Sequence, residues 1–386
     1  MSVRVGLVAC AASVSLVVAC LLPPVSAYAQ EPPRIALTAG LTIVQTLHGP
    51  GYERESQIAI AELSDAGVRY VWRGVEVNGA GDTLAFSVPQ IVGTADLASA
   101  ARVHMFTEIN WSPSGPHRVD GTLRGPAENP GYTAWSLSGD VYRQLRANGS
   151  APISIMSAER ITNSPLAGLG VVHARDVPVR WRGTLTRVAA EGFPLLMDGR
   201  RVTVPALRLR GQFTATRGRT WEPEMWVLAD STHPLLLRVN NGKNIMQVVR
   251  IDRAAASIGV LERSLDSECR VELPGIYFGF NSAVLDSASD ATIARVATML
   301  ARHPQWTITL EGHTDSIGGA QSNQLLSQRR AEAVRARLTT HMTGGARTIH
   351  AVGYGASRPR EPNTTIEGRA RNRRVELVRD CAGKSR

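Results

Sequence analysis

Residues 310–376 gather the side chains whose types and spacing could do chemistry. Leu310-Glu311-Gly312-His313-Thr314-Asp315 comes first. Asn323, Leu326-Ser327 and Arg329-Arg330-Ala331 follow, then Gly353-Tyr354-Gly355, and last Asn372-Arg373-Arg374-Val375-Glu376. His313, Asp315 and Ser316 are the residue types of a hydrolytic triad. Triad members converge from separated chain positions, and no nucleophile elbow or oxyanion motif accompanies these three neighbours, so catalysis is not expected. A metal centre is not expected either. Cys269 and Cys381 are the two cysteines beyond the first thirty residues, and two thiols without a nearby histidine pair do not make a zinc-ligand set. What remains is binding. Taken singly, Asp315 reads as a turn-forming Asx residue, Arg330 as a solvated helix arginine and Asn323 as a helix N-cap.

The elements that must position these residues follow from periodicity. From about residue 270 the chain alternates strand and helix signals. Residues 275–280 predict a strand. Residues 286–302 predict a helix with Ile293, Val296, Ala297 and Leu300 on one face, and Ser287 or Ser289 as its N-cap candidate. A strand over 306–310, a helix over 323–338 with Leu326, Ala333, Val334 and Leu338 as its apolar stripe, and strands over 348–352 and 374–378 complete the order β-α-β-α-β-β. Asp315 then sits in a loop after a strand, and Arg330 about two turns into the second helix.

Residues 34–252 have period two instead. Val68, Tyr70 and Trp72 alternate with Arg69, Val71 and Arg73, and Val177, Val179, Trp181 and Leu185 with Pro178, Arg180 and Arg182. Further runs cover 202–209, 225–228, 235–239 and 246–251. Turn signals at Asn78-Gly79, Asp198-Gly199 and Asn241-Gly242 punctuate them, the last two being the strongest hairpin signals. Such strands predict an antiparallel sandwich or part-barrel. An outer-membrane barrel is less expected, because residues 31–260 hold only 14 aromatics and Arg and Pro interrupt most runs. No nucleophile motif, phosphate loop or metal cluster marks this region, so it discloses no function.

Composition bounds the class. The 386 residues are 43% hydrophobic and 20% charged, which excludes disordered, collagen-like and disulfide-scaffold chains. Of the formal charge of +10, residues 270–386 hold +7, from 17 basic and 10 acidic groups. Such a region favours an anionic partner. Arginine outnumbers lysine 41 to 2, a bias expected of a GC-rich genome rather than of nucleic-acid binding. Arg4, the apolar run from Val5 to Leu22 and the small-residue site ending at Ala29 read as an export signal cleaved after Ala29. Acylation at Cys20, in a loose lipobox, is the alternative. In an exported chain Cys269 and Cys381 suggest one disulfide, closing a loop of about 110 residues, worth roughly 4–5 kcal/mol in the chain-entropy model.

The elements G-H-T-D (312–315), N-x-x-L-S-x-x-R-A (323–331) and N-R-R-V-E (372–376) together resemble the OmpA-like peptidoglycan-binding domain. That family includes outer-membrane porin-type proteins, peptidoglycan-associated lipoproteins and flagellar stator subunits. The resemblance spans about 110 residues and leaves residues 30–260 unassigned. It implies non-covalent binding of the peptidoglycan stem peptide through diaminopimelate, whose D-configured carbon carries an ammonium and a carboxylate. Asp315 matches the family's ammonium-binding carboxylate. Arg330 matches its carboxylate-binding arginine, whose planar fork can make two parallel hydrogen bonds. Asn323 matches the amide at the helix start, and Thr314, Asn281 and Arg373 match weaker contacts. Gly279 departs from the pattern, since many members carry an Asp in its place; if that Asp helps hold the ligand, either Asn281 substitutes for it or affinity falls. It also implies that the first and last strands are antiparallel neighbours, so that Cys269 and Cys381 lie close.

The expected architecture is α+β: an all-β region, sandwich or part-barrel, over 30–260, then an OmpA-like β-α-β-α-β-β domain over 270–386, after a signal at 1–29. The expected protein is an exported, non-catalytic envelope protein of the periplasm or outer membrane. It needs no cofactor, binds no nucleic acid, and has peptidoglycan and further envelope components as partners. The alternative is a periplasmic lipid or glycan carrier that uses the last domain only for localisation.

Overall fold

The computed structural model describes residues 35–77, 83–105, 111–112, 115–116, 127–128, 130–161, 175–215, 218–253, 258–279, 281–342 and 349–381. The expected export signal, Cys20 and the expected Asn78-Gly79 turn lie outside the described residues. β1 (Thr42–Gly49) and β2 (Tyr52–Ser64) form an antiparallel hairpin around Pro50 and Gly51. Gly51 has φ of 79°, a left-handed value that suits glycine. Side-chain alternation sends Ile43, Ile58, Ile60, Val68, Tyr70 and Trp72 into one buried cluster.

The large sheet runs in the order Thr83–Gly93, Gly67–Val77, β2, β1, Ile245–Asp252, Leu236–Asn240, Glu224–Leu228, Arg200–Thr214, Arg175–Met197, Ser150–Ile161, with every one of these pairs antiparallel. The far end of Arg175–Met197 then pairs in parallel with Ile245–Asp252, Leu196 opposite Arg250 and Met197 opposite Ile251. That pairing closes a ring of strands, and the sheet continues outward from both Ile245–Asp252 and Arg175–Met197, so the part-barrel is the form adopted. The Asp198-Gly199 hairpin is a two-residue turn with φ of 48° and 76°. This is the positive-φ pair of a type I′ turn, whose twist matches that of the strands it joins. The second hairpin signal also forms a turn, with Asn241 Oδ1 accepting from the backbone N–H groups of Lys243 and Asn244.

The second sheet has the order Arg270–Glu272, Val375–Arg379, Ile308–Gly312, Ile349–Gly353. Val375–Arg379 is antiparallel to both its neighbours, and Ile308–Gly312 is parallel to Ile349–Gly353. A parallel pair needs a long crossover, here the helix Ala320–Thr340. Gly312 and Gly353 let that helix lie close. A Cβ on Gly312 would stand 2.2 Å from the Ser327 carbonyl, and one on Gly353 2.2 Å from the Gln328 amide. The helices Asp290–Ala301 and Ala320–Thr340 send Ile293, Val296, Leu300, Val334 and Leu338 into the core between helices and sheet. Among the described residues no helix is long and apolar enough to cross a membrane.

Several expected elements differ in detail. Residues 275–279 are not a ladder strand. Pro274 has no N–H to donate and Gly275 turns at φ of 78°, so the edge strand stops at Glu272 and Phe278 keeps a single bridge to Leu285. Asp286 caps the short helical turn Ser287–Ser289 through Ala288 N–H, and Ser289 holds the N-cap position of Asp290–Ala301, its hydroxyl bonding the Tyr277 backbone and not the helix. A short helix, Ile366–Asn372, which periodicity did not predict, is capped by Thr365. Cys269 and Cys381 form a disulfide with Cα atoms 6.1 Å apart.

Residues 33–386 form one compact unit, and the two sheets contact each other directly. Val44 and Val249 pack with Tyr277, Ile366 and Ala370. The Tyr277 hydroxyl donates to Asp252 Oδ2 at 2.7 Å, and the Arg250 guanidinium lies 5.3 Å from the Tyr277 ring centre.

Candidate ligand-binding site

The parallel strands end where the crossover helix begins, and the loop between them, residues 313–319, forms one wall of a cavity of about 280 Å³. Asn323 shapes that loop. It stands on the first turn of the helix, and its Nδ2 donates to the carbonyls of Asp315 (3.2 Å) and Ile317 (3.0 Å). The N-cap position is Gly319, so Asn323 acts as a loop clamp rather than a cap. Asp315 Oδ1 accepts from the Ile317 N–H at 2.9 Å, and Oδ2 accepts from Arg373 Nη1 at 2.6 Å. Thr314 lies in the same wall, and its buried hydroxyl has no partner among the described residues.

Arg330 forms the opposite wall. Its Nε donates to the Ser282 carbonyl at 2.9 Å and its Nη2 to the Gly279 carbonyl at 3.3 Å, while the guanidinium lies 4.9 Å from the Phe278 ring centre. Among the described residues no carboxylate lies within 4 Å of it. Burial pulls its pKa down to about 10, which leaves it charged at neutral pH. A part-buried cation held by neutral carbonyls is an under-compensated charge facing open space. Asn281 lies exposed at the rim with φ of 47°.

Two residues that the motif analysis missed complete the wall. Glu53 and Glu55, on β2, reach across from the large sheet to Arg373. Glu53 Oε1 accepts from Arg373 Nη1 at 2.6 Å, while its Oε2 accepts from Arg369 Nε and Nη2 at 2.9 and 2.5 Å. Glu55 Oε1 accepts from Arg373 Nε and Nη2 at 2.9 and 2.6 Å. Burial raises the Glu55 pKa, but Arg373, Arg250 and Arg330 together outweigh it and leave the carboxyl below its ordinary range. Burial disfavours charge on Arg373, yet Glu55, Glu53 and Asp315 raise its pKa further. The spacing Glu53-Arg54-Glu55 puts both acids on one strand face. Nothing in the local sequence tells which surface that face meets.

Asp315, Arg330, Asn323, Thr314, Asn281 and Arg373 all line this one cavity. The carboxylates of Glu53, Glu55 and Asp315 meet the Arg373 guanidinium on one wall and Arg330 stands on the other, while Arg250 and Arg374, which also line the cavity, are paired with Asp252 and Glu376. The cavity is therefore polarised to hold a group that carries both charges.

His313 is not part of a reactive constellation. It is buried, stacks on Tyr354 with ring centres 5.5 Å apart, and burial lowers its pKa to about 3, so it is neutral. Glu311, His313 and Glu376 have metal-like spacing, but the carboxylates are already held by arginines. Glu376 Oε1 accepts from Arg374 Nε at 2.5 Å and Arg360 Nε at 3.0 Å, and Arg270 Nη1 lies 3.1 Å from Glu311 Oε2. Burial raises the Glu376 pKa, and Arg374, Arg360 and Arg270 outweigh it to hold it at about 2. The cluster is a charge network.

The sequence pattern of the OmpA family matches residues 277–373, which include the loop, the crossover helix and Arg373 but not Gly51, Glu53, Glu55, Arg250, Ile276, Arg374 or Val375 of the cavity lining. Residues 277–373 form an OmpA-family domain. Over 115 residues the chain is 45% identical to the outer membrane porin F of Pseudomonas aeruginosa, covering 30% of this chain and 33% of the porin. It is 35% identical over 150 residues to the peptidoglycan-binding protein ArfA of Mycobacterium tuberculosis, covering 39% of this chain and 45% of that protein. The chain thus spans a third to under half the length of these relatives. Among solved structures, the peptidoglycan-associated lipoprotein of Burkholderia pseudomallei is 35% identical over 27% of this chain and 88% of its own, with a TM-score of 0.25. The OmpA-family domain carries the motif residues, and the acids at 53 and 55 come from outside it.

Proposed function

We propose that this protein is a non-catalytic envelope protein that binds peptidoglycan non-covalently through the cavity of its OmpA-family domain, at the periplasmic face of the cell envelope. The ligand group is the free D-centre of stem-peptide diaminopimelate, with its carboxylate on Arg330 and its ammonium on the acidic wall that includes Asp315. The β-rich region is thereby tethered to the wall. Residues 30–260 and 270–386 act as the tethered and gripping parts.

The observation that carries this reading is Arg330, a part-buried guanidinium with only carbonyl partners, in a cavity whose other wall presents the carboxylates of Glu53, Glu55 and Asp315. A ligand carboxylate supplies the missing anion, and the unpartnered Thr314 hydroxyl offers a further hydrogen bond. The names of the porin, lipoprotein and peptidoglycan-binding relatives accord with an envelope role.

The test is co-sedimentation of the mature chain with isolated sacculi. Arg330→Ala removes one partner of a charge-assisted hydrogen bond, worth about 1.5–3 kcal/mol, so affinity should fall on the order of 10- to 150-fold. If Arg330→Ala pellets as wild type does, the reading is wrong.

A further inference from the structure

The acidic wall does not belong to the OmpA-family domain alone. Asp315 has both carboxylate oxygens engaged, Oδ1 by the Ile317 amide and Oδ2 by Arg373. Glu53 also has both engaged, Oε1 by Arg373 and Oε2 by Arg369. Glu55 differs. Arg373 takes Oε1, and Oε2 accepts no hydrogen bond from any described residue. Glu55 lines the cavity and its side chain keeps 24% of its exposure. Gly279, on the Phe278 side of the cavity, presents no side chain there, and Asn281 is uncharged. Of the carboxylates that act on Arg330 across the cavity, Glu55 outweighs Asp315.

We infer that Glu55, carried by the β1–β2 hairpin of the large sheet, is a ligand-contacting residue that accepts the ligand's ammonium on Oε2 and makes the site specific for a zwitterion. The inference rests on the function proposed above. Arg373 and Arg369 hold the hairpin carboxylates in place, so the acceptor is positioned before the ligand arrives, which lowers the ordering cost of binding. The large sheet is then part of the binding site and not merely its cargo. A chain cut at residue 270 would keep Asp315 and Arg330 and lose the ammonium acceptor.

The test is titration calorimetry of the mature chain with two probes. One is the tripeptide L-Ala-γ-D-Glu-meso-diaminopimelate. The other is the same tripeptide with the distal ammonium replaced by hydrogen. Wild type should prefer the first probe by tenfold or more. Glu55→Gln should weaken the first probe at least tenfold, leave the second within about twofold, and so abolish the preference. Glu55→Asp, which keeps the charge, should retain part of it. Equal losses for both probes in Glu55→Gln would mean that Glu55 only props Arg373, and tighter binding would mean that it blocks the cavity. Either result overturns the inference while leaving the proposed function standing. If wild type binds neither probe, the proposed function itself fails, and the inference with it.

Discussion

Replacing Arg373 by methionine tests the charge architecture that joins the two sheets. The substitution keeps much of the side chain's apolar stem and removes its guanidinium. Glu55 then has no cation within hydrogen-bond reach, Asp315 keeps only the Ile317 amide, and Glu53 keeps Arg369. These groups are largely buried: Glu53, Asp315 and Arg373 expose 2%, 9% and 14% of their side chains. Breaking a buried ion pair by removing one partner costs about 3–5 kcal/mol, because the remaining charges stay desolvated. The loss should therefore reach that range at pH 7.5, read as the shift in urea midpoint at constant slope. Its pH dependence follows from Glu55. In wild type the folded-state pKa of Glu55 is lowered, so its contribution is present above the unfolded carboxylate range and fades as pH falls through it. In the variant burial acts without Arg373, the pKa moves up, and protonation relieves the repulsion. The stability gap should narrow between pH 7.5 and pH 4.5. A penalty under about 1 kcal/mol at pH 7.5, or one that grows on acidification, would refute this account.

Two further outcomes are expected. Cys269→Ser with Cys381→Ser should lower stability by up to about 4–5 kcal/mol in the chain-entropy model, measured by urea unfolding beside the oxidised wild type, with sacculus binding at 25 °C unchanged. His313 has a folded pKa of about 3, well below the unfolded value near 6.5, so its neutral burial stabilises above pH 6.5 and that contribution is lost as pH falls toward 3. His313→Gln should flatten stability against pH in that window by up to ~1.4 kcal/mol per pH unit, and an unchanged slope would count against the buried neutral imidazole.

The sequence disclosed what local chemistry controls. Asp198-Gly199 forms a type I′ turn from its two residue types, and the Val68, Tyr70 and Trp72 alternation places those side chains in the core. The spacing of Asp315, Asn323 and Arg330 brings them to one cavity because a strand, a loop and a helix of fixed geometry intervene. Three things were not legible. Ring closure depends on a long strand curling until Leu196 meets Arg250, a pairing between distant positions with no local mark. Residues 275–279 look like a strand by side-chain type, yet the missing Pro274 donor and the Gly275 turn decide otherwise. The roles of Glu53 and Glu55 depend on which surface β2 meets, and their sequence separation from Arg373 is more than 300 residues.

The disulfide has a mechanical consequence. Cys269 precedes the edge strand Arg270–Glu272, whose register places Arg270 opposite Val378 and Glu272 opposite Glu376. Ile308 stands opposite Arg379, and Gly312, beside the cavity, opposite Val375. The disulfide and the cavity thus sit at opposite ends of the same strands. A load between a bound ligand and the chain entering at Cys269 would run along the strand direction, loading the ladder in shear. Peeling the edge strand away one hydrogen bond at a time would have to begin at Cys269, where the bond to Cys381 ties it to the chain just past the end of the neighbouring strand. The weakest mode of rupture for a sheet is closed off at the point where force enters.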